Sequence, residues 1–259
     1  MGWEMVDEGW GRRAADFAAL LEPAQVREYI SVFRRLEVGP GTRLVDMACG
    51  SGLAMEMAGL LGAERAGIDA SPRLVEIARL RNPESDVRVG DMATSGFPEA
   101  AFDVVTSFRG IWGTTPDAVR EAHRLLVPGG QFALTCWGNM ASAPGGALFG
   151  PFRLATPPQV EHQSEMVSLK RPGVAAAFLA EAGLEPGEPF PVPCVIEFAD
   201  AEHYARALAA TGPAYEAIQT VGAEAFHAAC LEAARPFVTA GRPIRGELPL
   251  WGIIARRPA

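Results

Sequence analysis

No stretch of this chain approaches the roughly 20 consecutive apolar residues that a membrane-spanning helix requires. Basic residues are also in short supply: 23 Lys and Arg face 31 Asp and Glu, for a formal net charge of −8. Phosphate backbones are held by clustered cations, so nucleic-acid binding is not expected. The arginines are scattered, and Arg256-Arg257, one of a few adjacent basic pairs, sits at the extreme C-terminus. Cysteine is scarce, and Cys49, Cys136, Cys194 and Cys230 lie far apart, with no C-x-x-C pair and no histidine at metal-ligand spacing. This argues against a disulfide framework, leaves free buried thiols as the reading, and gives no reason to expect a metal. Met1-Gly2-Trp3-Glu4 lacks the basic and apolar regions of a secretory signal, and Val6 stands where a myristoylation motif wants Ser or Thr. The expectation is a soluble cytoplasmic protein, a monomer or homodimer, with no membrane partner.

What is present is enough for a full core, since 49% of the 259 residues are hydrophobic and 21% charged. That length fits one large α/β domain with a modest cap. Trp10, Ala14, Phe17 and Leu21 recur at helical spacing, as do Val26, Tyr29, Ile30 and Phe33, with Pro23 between the two sets. Gly39-Pro40-Gly41 ends the helical pattern. Strands are then predicted at 43–47, 66–69, 87–89, 102–106 and 131–136, with helices between them. Ser71-Pro72 and Thr115-Pro116-Asp117 supply N-caps, and Pro128-Gly129-Gly130 a stop. This alternation implies a mostly parallel sheet covered on both faces. Residues 138–170 read as an irregular excursion and 172–182 as a helix closed by Gly183. The stretch 200–237 is helical between two proline-bracketed strands near 192–198 and 248–255, which suggests pairing limited to sheet edges.

Four local features carry chemistry. Val45-Asp46-Met47-Ala48-Cys49-Gly50-Ser51-Gly52 runs from a strand end into a glycine turn, where a ligand can approach the backbone and the free N–H groups of the next helix. Asp69 ends the second strand, where a carboxylate can accept both hydroxyls of a ribose; its bland alternative, helix capping, falls more naturally to Ser71. Gly90-Asp91-Met92 offers a carboxylate for an exocyclic amine and an apolar wall for a purine, or is simply a surface turn. Leu126-Val127-Pro128-Gly129-Gly130 is a helix stop, uninformative alone. A nicotinamide dinucleotide fits less well. The third glycine position of its fingerprint is Met55, and Asp46 would repel a pyrophosphate while attracting an ammonium.

In order and spacing, residues 40–137 resemble the class I S-adenosylmethionine-dependent methyltransferases, especially the ubiquinone- and menaquinone-type group. The resemblance implies a Rossmann-like α/β fold: a mostly parallel seven-stranded sheet, helices on both faces and a final antiparallel strand. One domain then spans 1–259, with a helical lid at 1–38, a cofactor core at 40–137 and substrate caps at 138–170 and 200–240. It implies that Asp46, Ala48, Cys49, Gly50 and Gly52 hold the methionine end of the cofactor. Asp69 then takes the ribose with Ala70 beside the adenine, Asp91 and Met92 take the adenine, and the segment Ser107-Phe108-Arg109-Gly110 walls the sulfonium. Ala48 departs from the family, which most often has Gly there.

The acceptor is a small molecule, and Trp10, Phe108, Trp112, Trp137 and Phe149 suggest an apolar or aromatic one, although core packing accounts for each ring equally well. No general base stands out. His123 reads as a partly exposed structural residue and His203 and His227 as solvent-facing, which leaves His162 as a weak candidate. The alternative is a protein of the same fold that uses the cofactor structurally, as a cyclase or binding subunit.

Overall fold

The computed structural model describes residues 6–111, 116–155 and 173–259. Helical turns run from Asp7 through Gln25 into α1 (Val26–Arg35). The core follows as β1 (Arg43–Met47), α2 (Leu53–Leu60), β2 (Glu64–Asp69), α3 (Pro72–Arg81), β3 (Asp86–Val89), β4 (Phe102–Phe108), α4 (Pro116–Leu125) and β5 (Leu126–Trp137). Next come α5 (Val174–Glu181), β6 (Glu185–Pro186), β7 (Phe190–Val192), β8 (Val195–Phe198), the helices α6 (Ala201–Leu208), α7 (Gly212–Val221) and α8 (Ala223–Ala234), then β9 (Ile244–Glu247) and β10 (Leu250–Arg256).

The main sheet runs β3-β2-β1-β4-β5-β10-β6, with β7 also paired to β10. Strands β1 to β5 are parallel, and β10 is antiparallel to its neighbours. Because β6 and β7 pair with successive parts of β10, they act as one interrupted edge strand and the sheet keeps the expected seven-strand plan. From β1 the chain winds first to β2 and β3, then returns to β4 on the other side. The crevice at the C-terminal ends of β1 and β4 is therefore the point where the winding reverses.

Strand periodicity separates the two faces. Leu44, Val104 and Ala133 pack with Tyr29, Val32 and Phe33 of α1. Val45, Val105 and Leu134 pack with Ala118, Val119 and Ala122 of α4 and Leu179 of α5. The helices α6 to α8 gather over the 146–154 turns and the β8–β9 ribbon, where the Tyr204 hydroxyl donates to the Leu148 carbonyl. None of the described helices is long and apolar enough to cross a membrane.

Several expectations need correction. The buried stripe of α1 is Gln25, Glu28, Tyr29, Val32, Phe33 and Leu36, which leaves Val26 and Ile30 on its flank. Strand β5 begins at Leu126 and carries Pro128-Gly129-Gly130 as an irregularity in its pairing with β4. The predicted strand 192–198 breaks at Pro193, and β8 leaves the main sheet to pair with β9, which the sequence reading missed. Pro249 precedes a central strand, because β10 lies between β5 and the β6/β7 edge. His203 is not solvent-facing: its ring packs on Phe198 at 5.5 Å and its Nδ1 accepts from Ala199 N–H. Thr115, Trp112 and His162 lie outside the described residues.

Candidate active site at the winding reversal

After β1 the backbone turns sharply, with left-handed φ at Ala48 (62°), Gly50 (55°) and Gly52 (79°). A side chain at Gly52 would meet Ala78 and Asn82 at 2.8 Å, so only glycine lets α3 approach the turn. Asn82 fixes that approach by donating to the Gly52 carbonyl at 3.0 Å. Ala48 holds the same left-handed backbone with a side chain, a strained choice for an L-residue. The turn after β4 accommodates it through Gly110, whose Cβ, were there one, would sit 2.4 Å from that of Ala48.

Asp46, in the last turn-ward part of β1, is 2% exposed and accepts from Thr106 Oγ1 at 2.7 Å. Burial pushes its carboxyl up to about 8, with the charges of Asp69, Glu22 and Glu28 adding to the shift. Asp69 bridges the two turns, accepting from Gly50 N–H and Ser71 N–H at 2.8 Å each. Burial raises its carboxyl as well. Ser71 caps α3 by accepting from Leu74 N–H, as read from the sequence. Asp91 caps the short Met92–Thr94 turn through Ala93 N–H at 2.9 Å.

The N-terminal helical segment delivers three acids to three of these loops. Asp7 accepts from the Ser71 hydroxyl after β2. Glu22 accepts from Ser51 Oγ after β1 and pairs with Arg81 of α3, while Arg81 also holds the Ala18 carbonyl at 3.0 Å. Burial raises the Glu22 carboxyl despite those partners. Glu28, 1% exposed on α1, accepts from Thr135 Oγ1 of β5 at 2.6 Å and from Arg109 Nε at 3.2 Å. Its Oε2 faces Arg109 Nη2 at 3.0 Å without the alignment of a hydrogen bond. Burial works against the Arg109 charge, but Glu28 more than offsets that, and the guanidinium stays firmly protonated.

Rings complete the surroundings. Phe108 meets Tyr29 at 4.7 Å and Phe33 at 5.7 Å, and Arg109 lies 5.2 Å from the Trp137 ring centre. Trp137 in turn meets Phe149 at 5.7 Å. Trp10 packs on Phe17 and on Gly212 of α7, joining the N-terminal segment to the helical insert. A Cβ on Gly50 would be 3.6 Å from Phe17, so the segment lies directly over the glycine turn. Thus Asp46, Asp69, the turn, Phe108 and Trp137 share one end of the sheet. Asp91 is on the outer loop after β3, and Trp10 belongs to the covering layer. His123 sits beside Gly183, and His227 pairs with Glu202 on the exposed side of the insert.

The sequence reading missed Glu22, Glu28, Arg81, Thr106 and Thr135. A signal existed for Glu28, since Gln25 and Glu28 occupy stripe positions of α1 where an ordinary core helix carries apolar residues.

A doubly wound sheet closed by an antiparallel strand, with an acid-flanked glycine turn at the winding reversal, defines a methyltransferase-type fold. The methyltransferase domain family matches residues 45–134. A ubiquinone biosynthesis O-methyltransferase of Xanthomonas euvesicatoria pv. vesicatoria is 34% identical over 175 residues, covering 64% of this chain and 70% of that protein. The solved geranyl diphosphate C-methyltransferase of Streptomyces coelicolor A3(2), determined with S-adenosyl-L-homocysteine, aligns with a TM-score of 0.54 and 19% identity over 92% of this chain and 78% of its own. The [4+2]-cyclase SpnF aligns with a TM-score of 0.57 and 21% identity over 90% and 81%, a likeness of fold alone. The chain belongs to the class I S-adenosylmethionine-dependent methyltransferases.

Proposed function

We propose that this enzyme methylates a hydroxyl group on a small apolar or aromatic molecule. The observation that carries the donor half is the set of buried acids, Asp46, Asp69 and Glu22, around the glycine turn. Acids held in a low-dielectric site without enough cations suit a positively charged ligand, and S-adenosylmethionine carries an ammonium and a sulfonium against one carboxylate. The turn residues Ala48, Cys49, Gly50 and Gly52 with Asp46 would hold its methionine end. Asp69 and Ala70 would hold the ribose side, Asp91 and Met92 the adenine, and Phe108 would wall the sulfonium. When bound, the cofactor supplies an electrophilic methyl group.

Support for a hydroxyl acceptor comes from the O-methyltransferase relative. The rings of Phe108, Trp137 and Phe149 beside the turn favour an apolar or aromatic body. The protein's contribution is alignment and exclusion of water. For the second task we assign the N-terminal segment, which already covers Gly50 with Phe17 and is tied down by Glu22, together with the helical insert that it meets through Trp10. Entry of the cofactor requires that segment to lift.

The test is incubation with methyl-deuterated S-adenosylmethionine and a panel of phenols and catechols, followed by mass spectrometry. A product heavier by one labelled methyl, formed with an equal amount of S-adenosylhomocysteine, is expected. Tight cofactor binding with no labelled product from any hydroxyl acceptor would refute the acceptor class.

A further inference from the structure

The loop after β3 carries Asp91 on a single short helical turn, half exposed at the rim of the sheet. Asp91 spends Oδ1 on Ala93 N–H at 2.9 Å, and its carbonyl accepts from Thr94 N–H at 3.1 Å. The turn is therefore a small closed unit whose position is set by its two ends. At the near end, Gly90 N–H donates to the Asp69 carbonyl at 3.0 Å, which ties the loop to the end of β2. The far end is Ser95, one turn on, about 8 Å away at the roughly 2 Å rise of a 3₁₀ turn.

Ser95 is 5% exposed between exposed Thr94 and Gly96. Its N–H donates to Glu121 Oε1 of α4 at 3.1 Å, and its hydroxyl donates to the same oxygen. Glu121 is itself buried, and Arg124, one helical turn on, grips both of its oxygens at 2.7 Å. Burial works against the charge, but hydrogen bonds from Arg124 and Ser95 more than offset it and hold the carboxyl below its usual range. Arg124 also donates to the Phe97 carbonyl at 2.7 Å, and Phe97 packs on Phe102. A buried ion pair is a costly way merely to pack a loop, since apolar residues of similar volume often serve as well. What it adds is direction, because two donors of one residue converge on one fixed oxygen. Hydrogen bonds weaken steeply outside a narrow range of length and angle. A carboxylate on this turn meets a base well only if Ser95 stays where Glu121 puts it.

Resting on the reading above that Asp91 takes the adenine, we propose that Glu121 is a positioning residue for the cofactor. Through Ser95 it holds the Asp91 carboxylate against the base, and so sets the preference for a 6-amino over a 6-oxo purine. The amino group donates to a carboxylate, whereas a carbonyl oxygen in its place is repelled.

The experiment is calorimetric binding of S-adenosylhomocysteine, S-inosylhomocysteine and 5′-methylthioadenosine to wild type, Asp91→Ala, Glu121→Ala, Glu121→Gln and Ser95→Ala, with circular dichroism to establish folding. The adenosyl-to-inosyl affinity ratio reads the base. The ratio of S-adenosylhomocysteine to 5′-methylthioadenosine reads the amino-acid end, which Glu121 does not touch. Wild type is expected to favour the adenosyl ligand by about 10–100-fold, the worth of one hydrogen bond to a charged group. Glu121→Ala lowers that base ratio by about fivefold or more and leaves the amino-acid ratio within about twofold of wild type. Glu121→Gln, which keeps an acceptor for Ser95, restores most of the base ratio. Ser95→Ala, which keeps the N–H and loses the hydroxyl, lowers it by about two- to threefold. An unchanged base ratio in Glu121→Ala, or a fall of both ratios together, would overturn the positioning role. If Glu121→Ala does not fold, Ser95→Ala decides alone, and an unchanged base ratio there overturns it. A wild type without base preference, or an Asp91→Ala variant that retains it, would instead bring down the adenine reading of Asp91, and this inference with it.

Discussion

Asp46 offers the sharpest consequence of the buried acids. It is 2% exposed, accepts one hydrogen bond from Thr106, and is pushed up to about 8 by burial and the neighbouring acids. At pH 7 about nine in ten molecules therefore carry a proton on it. A cationic ligand beside it requires the carboxylate, so binding must expel that proton. With the bound carboxylate ionised throughout, affinity rises about ninefold from pH 6 to 7 and about sixfold from pH 7 to 8, then levels off. Calorimetry of S-adenosylmethionine binding in buffers of different ionisation enthalpy measures the proton directly. Wild type should release about 0.9 proton more than Asp46→Asn at pH 7, and this difference cancels any titration of the ligand's own ammonium. Equal proton release by the two proteins, or an affinity flat between pH 6 and 8, would refute the placement of Asp46 beside the ligand's positive charge.

The same acid has the opposite sign for folding. Its folded-state pKa lies above the unfolded value, so its contribution is fully present below about pH 4 and is lost as pH rises through about 8. Ligand-free Asp46→Asn should thus melt higher than wild type at pH 9, with the gap closing toward pH 4, while losing cofactor affinity. Arg81→Gln strips the partner from buried Glu22 and should destabilise by about 3 kcal/mol in denaturant titration. The cost grows with pH, because Glu22 can escape it only by binding a proton, and S-adenosylhomocysteine should dissociate faster. Ala48→Gly removes left-handed strain and should stabilise by roughly 0.5–1 kcal/mol. Gly110→Ala, which drives a methyl group into Ala48, should destabilise by about 1–3 kcal/mol and be partly rescued by Ala48→Gly, a coupling readable in a double-mutant cycle.

The alternating strands and helices of the main sheet were legible because their signals are local. Strand periodicity, the Ser71 cap and the glycines at 50 and 52 each act within a few residues, and all three are realised as read. The layer that closes the site was much less so. Glu28 meets a threonine 107 positions away and Asp7 a serine 64 away, so neither acid announces its partner in the linear order. Glu28 could have been found as a polar residue on a buried helical stripe, but the stripe read through Val26 and Ile30 placed it on the wrong side. The β8–β9 ribbon was hidden for a related reason. Pro193 cuts one apparent strand into two, and the second half pairs with residues that look like a charged loop, Ile244-Arg245-Gly246-Glu247. The glycines of β5 misled in the other direction, since neighbouring strands hold them in the sheet despite their turn character.

The proposed function has the acid-flanked turn bind a methyl donor and a small hydroxyl-bearing acceptor meet that donor beside the turn. Mass analysis of the acceptor after reaction with methyl-deuterated S-adenosylmethionine tests both halves at once. One labelled methyl on an acceptor oxygen is expected for each S-adenosylhomocysteine formed, abolished in Asp46→Asn. Label on carbon or nitrogen, or an Asp46→Asn enzyme that binds and transfers as well as wild type, would contradict it.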